Sequence, residues 1–511
     1  MGAINPINPP IFTNSYHTML QESTQHFLIQ LKSGVSDFSH FNLMFSRLIQ
    51  TISSPPIEII WFYTAVNYHT HKNTIKAQNQ SFGEISCLDE LFHSLVSCSG
   101  SCSSSVTRIA VLAPLVSELH NLILELKSLN EFRFDNVVGR EIRCLVDRLV
   151  SYISLCCCEG VNDHDESPAF SPCFVDLVKV WTVGRRGTSC AFEDDFRIFF
   201  PLLNDESRNE VWLRGEVGVL AGFVMCQVFL LNLCLKFNVE EKPQNLEEEI
   251  SISAVDAITG FRSCYFFDAL LKMLLESNLP VTSLLTASDG VVLQKALFGA
   301  IVLVDYPFFN PACGIGLCHD HLNTHASTWL FVADRAMQFV RNNDCQTKLI
   351  SYMKAFTKSL IHSQLLKWVS AQIGIIEDKD KPRFSTPSVF LEWLAQIRST
   401  GSRTFDDEFS LFLDKVTHYK SEMTPSLPYS EACQKVGSGD GISEDLEMID
   451  STDAIKSTCK YDFSVSEACR KRKGENDENS VRVKLLKRQT ERSPINNFSS
   501  FRAEVVWAGR R

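Results

Sequence analysis

The sequence is poor in the alternation of apolar and polar residues that β-strands require. Such alternation between turn residues is almost absent from the 511-residue chain, and a short strand is expected only around 192–200. The scarcity of this pattern argues against a fold built on a sheet. We therefore expect an all-α protein.

The sequence also lacks the local motifs of common enzymes. It contains no GxxxxGK[ST] phosphate loop, no GxSxG nucleophile motif, no HExxH zinc motif and no protein-kinase set. The glycine-rich run 437–441 has no lysine directly after it and no flanking strand and helix, so it does not predict a phosphate site. These absences leave no residue with an assignable catalytic role, and we expect a non-catalytic protein without a cofactor.

Disulfide spacing and a secretory leader are also missing. The 18 cysteines are scattered, Cys156, Cys157 and Cys158 are consecutive, and residues 1–15 have neither the charged nor the apolar region of a signal peptide. We expect reduced thiols that pack as small apolar side chains, as in proteins of the cytosol or nucleus.

Helical periodicity is what the sequence has in abundance. Spacings of three and four draw one apolar stripe through Leu112, Leu115, Leu119, Leu122, Leu126 and Leu129. The next periodic segment, 142–153, is expected to pack on this stripe as an antiparallel hairpin. Further helices are predicted at 17–32, 38–52, 56–70, 84–97, 207–236, 254–277, 289–305, 326–342, 346–373, 387–399 and 404–419.

The helical segments fall into four predicted regions. These are an N-terminal helical region (1–158), a flexible insert (159–172), a C-terminal helical region (173–419) and a disordered tail (420–511). A second disordered insert is expected at 97–105. Helix density and length resemble HEAT or armadillo repeat proteins without their signature residues, so we expect a multi-helix bundle or an irregular stack of that kind.

The tail carries the strongest functional signal. Residues 470–511 hold 12 positive and 5 negative side chains, and residues 420–469 hold 4 positive and 10 negative ones. With a total of −11, this leaves a net charge of −12 on residues 1–419. Two basic clusters separated by ten residues resemble a bipartite nuclear-localisation signal, which predicts an import receptor as partner: Arg470, Lys471, Arg472, Lys473, Lys484, Lys487 and Arg488. Any contact with nucleic acid would have to use the tail, because the body is acidic.

The extreme C-terminus combines aromatic and aliphatic side chains with arginines. This composition favours a short docking motif that folds on a partner, and a segment that folds back on the body is an equal alternative. The residues concerned are Phe498, Phe501, Val505 and Trp507.

Residues 217–235 support a second hypothesis, a single-span or membrane-associated protein that is anchored by this segment. Gln227 and Asn232 are the polar residues among these nineteen, and Gly218 and Gly222 form the small-xxx-small pattern of packed membrane helices. Charged residues flank the segment closely, and no aromatic belt is evident, so we favour a fully buried helix over a membrane span.

A third hypothesis is an unfamiliar metal-dependent enzyme. Cysteines and histidines cluster in PACGIGLCHDHLNTH, with His321 and His325 spaced to share a helix face. The two residues between Cys318 and His321 are too few for a zinc finger. We therefore expect no metal, with Cys313, Cys318, His321 and His325 as the candidate ligands.

The leading prediction is a helical scaffold that binds other proteins in the nucleus, with the cytoplasm as a second location.

Overall fold

The computed structural model describes most of the chain up to Met423. The described residues are 12–35, 37–78, 83–128, 137–159, 169–170, 172–183, 192–203, 207–209, 211, 215–237, 245–276, 279–306, 319–343, 345–375, 382–399 and 405–423.

These residues form eighteen α-helices and one short 3₁₀ helix. The α-helices are α1 (Phe12–Lys32), α2 (Ser39–Thr51), α3 (Ile57–Gln78), α4 (Gly83–Ser99), α5 (Ser105–Ala110), α6 (Ala113–Ser128), α7 (Val137–Glu159), α8 (Phe174–Thr182), α9 (Phe192–Phe199), α10 (Val217–Leu235), α11 (Leu246–Phe261), α12 (Cys264–Leu274), α13 (Ala287–Val302), α14 (His319–Asn342), α15 (Gln346–Lys358), α16 (Leu360–Ile373), α17 (Pro387–Ser399) and α18 (Asp407–Met423). The 3₁₀ helix spans Pro280–Leu284. The predicted all-α class is confirmed.

The strand expected around 192–200 is wrong, since this segment forms α9. Phe196 and Phe199 are three residues apart, which places them on one helix face. Phe196 and Phe199 are buried. Among the described residues no strand forms, and Ala169 and Glu216 make an isolated antiparallel bridge.

The disorder expected at 97–105 is also wrong. Ser99 ends α4 and Ser105 begins α5, and both are buried. The Cys102 amide donates a hydrogen bond to the Ser99 carbonyl at 2.9 Å, and the Cys102 thiol faces the Pro55 carbonyl at 3.6 Å. Small side chains permit a tight turn here that is anchored by buried residues at its ends and at Cys102, although their composition alone resembles that of a disordered linker.

Two predicted long helices are each divided in two. The segment 254–277 breaks at Arg262, whose φ of 44° lies in the left-handed region, and restarts after Ser263, whose hydroxyl accepts from the Phe266 amide. The segment 346–373 breaks at Ser359, whose extended backbone and hydroxyl cap the start of α16. Each break lets the chain turn while a serine satisfies one free amide of the new helix.

Two helices act as hubs of the packing. The first hub, α10, contacts α5, α6, α7, α11 and α12, and the second hub, α14, contacts α12, α13, α15, α16 and α17. The helix α12 packs on both hubs. Helices from 1–158 and from 173–419 therefore contribute to one hydrophobic core.

The leucine-rich segment forms a helix as predicted, but the next helix is not its main packing partner. The stripe forms α6, and Leu115, Leu119 and Leu122 are buried. However, α6 packs mainly on α10 and α4, while α7 packs on α10, α5, α11 and α4. Neighbours in sequence are not the main partners here, because α10 is more apolar than either helix and lies between elements from both regions.

The predicted insert and tail are described only at their edges. Glu159 ends α7, and the Phe170 amide donates to the Gly215 carbonyl at 2.7 Å. The last described helix continues to Met423, inside the segment assigned to the tail. Residues 160–168, 171 and 424–511 lie outside the described residues.

Candidate functional site

An open groove lies where α15 ends and α16 begins. The chain returns to this place through residues 382–386, just before α17. The groove has a volume of about 580 Å³, within the range of pockets that hold small ligands or short peptide segments. Its lining combines hydroxyl, basic and apolar side chains: Thr357, His362, Ser363, Leu366, Lys367, Pro382, Arg383, Phe384 and Ser385.

Aromatic packing fixes the inner wall of the groove. The His362 ring lies 4.5 Å from the Phe356 ring and perpendicular to the Phe390 ring at 5.7 Å. Phe384 stacks on Phe390 at 4.3 Å between ring centroids. Because Phe356, Phe390 and Phe384 come from three segments, this cluster joins α15, α17 and the approach to α17 behind the groove.

His362 is a neutral polar group at this wall. It is 7% exposed, and burial lowers the pKa of its imidazole to about 4, so the ring carries no charge at neutral pH. A neutral imidazole has one donor and one acceptor nitrogen. Its Nε2 is buried and has no hydrogen-bond partner among the described residues, so it is an unsatisfied polar atom at the inner wall.

The rim of the groove is basic. Lys367 and Arg383 are exposed and form no ion pair with a described residue. His362 and Ser363 also lie in the first turn of α16, where the helix dipole adds partial positive charge. No described carboxylate is among the lining residues, but at the start of α16 the Asp305 carboxylate accepts a hydrogen bond from the Leu360 amide at 3.1 Å. The positive charge of the groove therefore comes from Lys367 and Arg383.

A second cavity is too small to bind an organic ligand. It has a volume of about 30 Å³, close to the space that one water molecule occupies. At its wall the Tyr68 hydroxyl donates to Glu118 at 2.8 Å, and Lys72 reaches the same carboxylate at 3.4 Å. Glu118 is buried, so these bonds stabilise a carboxylate inside the fold.

Cys87, His71 and Glu90 resemble a catalytic triad but have the wrong geometry. The Cys87 thiol and the Glu90 carboxylate both face Nδ1 of His71, at 3.6 Å and 2.6 Å. A triad needs the acid and the nucleophile on opposite ring nitrogens. Burial raises the pKa of the Cys87 thiol to about 11, which disfavours the reactive thiolate.

The site residues predicted from sequence lie almost entirely outside the described residues. This holds for all seven residues of the basic signal, the four of the docking motif, Cys313 and Cys318, and nothing is described of the His321 side chain. His325 is buried in α14, and its Nε2 contacts the Cys264 carbonyl at 3.1 Å. The described residues contain no group of three potential metal ligands.

The hydrophobic segment 217–235 forms α10, whose surface is covered by other helices. By length and composition, two helical stretches could cross a membrane, Ser105–Ser128 and Val217–Leu235, and they are 78% and 94% buried within the protein. Gly218 and Gly222 face Tyr265 of α12 so closely that a Cβ on either would lie within 2.5 Å of it. Packing in the core therefore explains both the apolar surface and the glycine spacing of α10.

The groove is a feature that the sequence did not single out. His362, Leu366, Ser363 and Lys367 form two i,i+4 pairs on α16, which is the spacing of an ordinary amphipathic helix. Residues 382–385 join them only through the tertiary fold. No protein-family model matches the chain, and comparisons with curated proteins and with solved structures found no match.

Proposed function

We propose that this chain is a nuclear, non-catalytic helical scaffold that binds other proteins. The observation that carries the proposal is the open groove between α15, α16 and residues 382–385. Its rim holds two exposed cations, and its inner wall holds an imidazole nitrogen that has no hydrogen-bond partner among the described residues. Polar groups inside a protein normally have partners. A groove with an unsatisfied polar atom at its wall and cations at its rim is better suited to recognition than to packing.

The acidic body and the basic tail divide the proposed function between them. The body supplies the groove, and the two basic clusters at 470–473 and 484–488 supply the import signal. An extended basic segment can place two sets of cations in separate acidic sites of an import receptor. The aromatic C-terminus at 498–507 is proposed as a second docking motif for a partner protein.

Localisation tests the import half of the proposal. We expect the fluorescently tagged full-length protein to accumulate in the nucleus, and the variant with Arg470, Lys471, Arg472 and Lys473 changed to alanine to remain in the cytoplasm. A matched control changes Lys354, Lys358, Arg398 and Lys415, which lie on helices of the body, to alanine. Equal nuclear accumulation of all three proteins would refute an import signal at 470–473.

Affinity purification tests the binding half. The parent is compared with a charge-reversed groove, Lys367→Glu with Arg383→Glu, in cells that express equal amounts of each. We expect a defined set of proteins to accompany the parent and to be lost from the variant. If no protein accompanies the parent above the level of a tag-only control, the scaffold proposal fails.

A further inference from the structure

The groove offers two kinds of surface side by side. Lys367 and Arg383 supply positive charge at the rim, and the hydroxyl groups of Thr357, Ser363 and Ser385 add polar contacts. The half-buried Leu366 and the buried Phe384 supply apolar surface within the same groove. A ligand that covers the whole groove must therefore pair a negative group with an apolar group.

These features separate the possible ligands. A free phosphate ion would use the cations and leave the apolar surface exposed, and it is far smaller than a cavity of about 580 Å³. A nucleic acid carries many charges and would meet the net charge of −12 on residues 1–419. A short peptide with one or two carboxylates interacts mainly within a Debye length of about 8 Å, and the charged side chains among the described lining residues are Lys367 and Arg383.

We propose that the groove binds a short acidic segment of a partner protein, with a carboxylate at Lys367 and Arg383 and a neighbouring apolar side chain on Leu366 and Phe384. This inference rests on the proposed scaffold function and specifies the chemistry of the partner.

Two synthetic peptides test the charge requirement. Both are fluorescein-labelled, contain about eight residues with a central leucine and differ only in carrying glutamate or glutamine on either side of it. Fluorescence anisotropy with the purified full-length protein is expected to show about tenfold tighter binding of the glutamate peptide, and added salt should reduce that difference. Equal binding of the two peptides would overturn the proposal.

Variants locate the charge requirement in the groove. Lys367→Gln with Arg383→Gln is expected to remove the preference for glutamate, because both cations are lost. Lys354→Gln changes an exposed lysine one turn before Thr357 that does not line the groove, and it should keep the preference. Since all three side chains are exposed, circular dichroism should show unchanged helicity. A preference that survives in the double variant would overturn the proposal.

Inorganic phosphate serves as the competitor. If millimolar phosphate binds the protein while neither peptide does, the groove is an anion site and the proposal is overturned. These outcomes differ from a failure of the scaffold function, in which no protein accompanies the parent from cells. Partners that remain bound to the charge-reversed groove would keep a scaffold function and reject this groove as its binding surface.

Discussion

The two hub helices achieve burial in opposite ways. In α10, Gln227 and Asn232 are the polar residues, eighteen of its nineteen residues are buried, and Gly218 and Gly222 admit Tyr265 of α12 at the closest distance. In α14, the buried Asp334 accepts hydrogen bonds from the Ser388 and Tyr419 hydroxyls and the Gln338 amide. One hub depends on shape, and the other depends on a satisfied polar group.

This difference predicts how each hub tolerates change. A helix held by close packing fails when volume is added, because the surrounding interior is already dense. A helix held by a buried carboxylate fails when its hydrogen bonds are removed, since each abandoned donor stays in an apolar environment. Adding volume to α10 and removing hydrogen bonds from α14 therefore test the comparison between the two hubs.

Gly222→Ala is expected to have the largest effect, a loss of about 3 kcal/mol of unfolding free energy. The new Cβ would lie 2.3 Å from the backbone carbonyl oxygen of Tyr265, and a backbone atom cannot move aside without shifting α12. In a helix with free space, the same change would stabilise by about 1 kcal/mol. The sign of the change in urea midpoint therefore reports the close approach.

Gly260→Ala provides the matched control. It lies in α11, and the nearest atom to a new Cβ would be the Ser154 hydroxyl oxygen at 3.7 Å, which is ordinary contact. We expect an unchanged or slightly higher midpoint, because alanine favours the helix. A Gly222→Ala protein that matches Gly260→Ala in stability would show that α10 is loosely packed.

Asp334→Ala is expected to cost about 2 to 3 kcal/mol, because three donors lose their acceptor in the buried region between α14, α17 and α18. Tyr419→Phe removes one of the three bonds and is expected to cost about 1 kcal/mol. Urea unfolding of both variants measures these losses. Equal losses in the two variants would mean that the Tyr419 bond alone supplies the stabilisation attributed to Asp334.

The all-α class could be predicted because helical periodicity is local. Leu115, Leu119 and Leu122 lie on one face of α6 whatever the partner of that helix is, so the element follows from spacing alone. The packing partner of the helix does not follow from spacing. The helix α10, some ninety residues further along the chain, is the main neighbour of α6, and nothing in local spacing encodes a contact between segments so far apart.

The candidate groove could not be predicted from the sequence for a related reason. A histidine on a helix face resembles a core residue, and His362 differs from one only because residues 382–385 complete a groove that it lines. Gly218 and Gly222 did provide a signal, but close helix packing uses the same spacing in a membrane and in a protein core. The surrounding helices decide between these two environments.

Acid is expected to destabilise the region around α14 through His362, which lies on the neighbouring helix α16. Burial lowers the pKa of this imidazole from 6.5 to about 4, so between these pH values the unfolded chain binds a proton that the folded chain does not. Unfolding free energy therefore falls as pH decreases from 6.5 to about 4, by about 2 kcal/mol in total. The group's contribution is fully present above pH 6.5.

Parallel urea unfolding of the parent and His362→Phe at several pH values measures this contribution. The stability difference between the two proteins is expected to change across that pH window and to be constant above it. The other groups near His362 titrate alike in both proteins, so they cancel in the difference. A constant difference down to pH 4 would mean that the folded protein protonates His362 as readily as the unfolded chain does.

The smallest effect is expected at Glu247, which links helices from the two hubs. The helix α11 packs on α10, and Glu247 at its first turn contacts Lys295 of α13 at 3.1 Å and Lys348 of α15. Burial opposes ionisation, but hydrogen bonds and charge from Lys348 and Lys295 outweigh it and lower the pKa of Glu247. A lowered carboxyl pKa adds stability at neutral pH that is lost as pH falls through the folded value.

Glu247→Gln is expected to cost about 0.5 to 1 kcal/mol at low ionic strength, since the carboxylate is one-third exposed and water screens the pairs. Glu248→Gln is the control, because it removes a charge from the same helix turn, where both carboxylates favour the helix dipole. The excess loss in Glu247→Gln, measured by urea unfolding, should shrink in high salt. Equal losses in both variants would assign the whole effect to the dipole and leave the hubs without an electrostatic link.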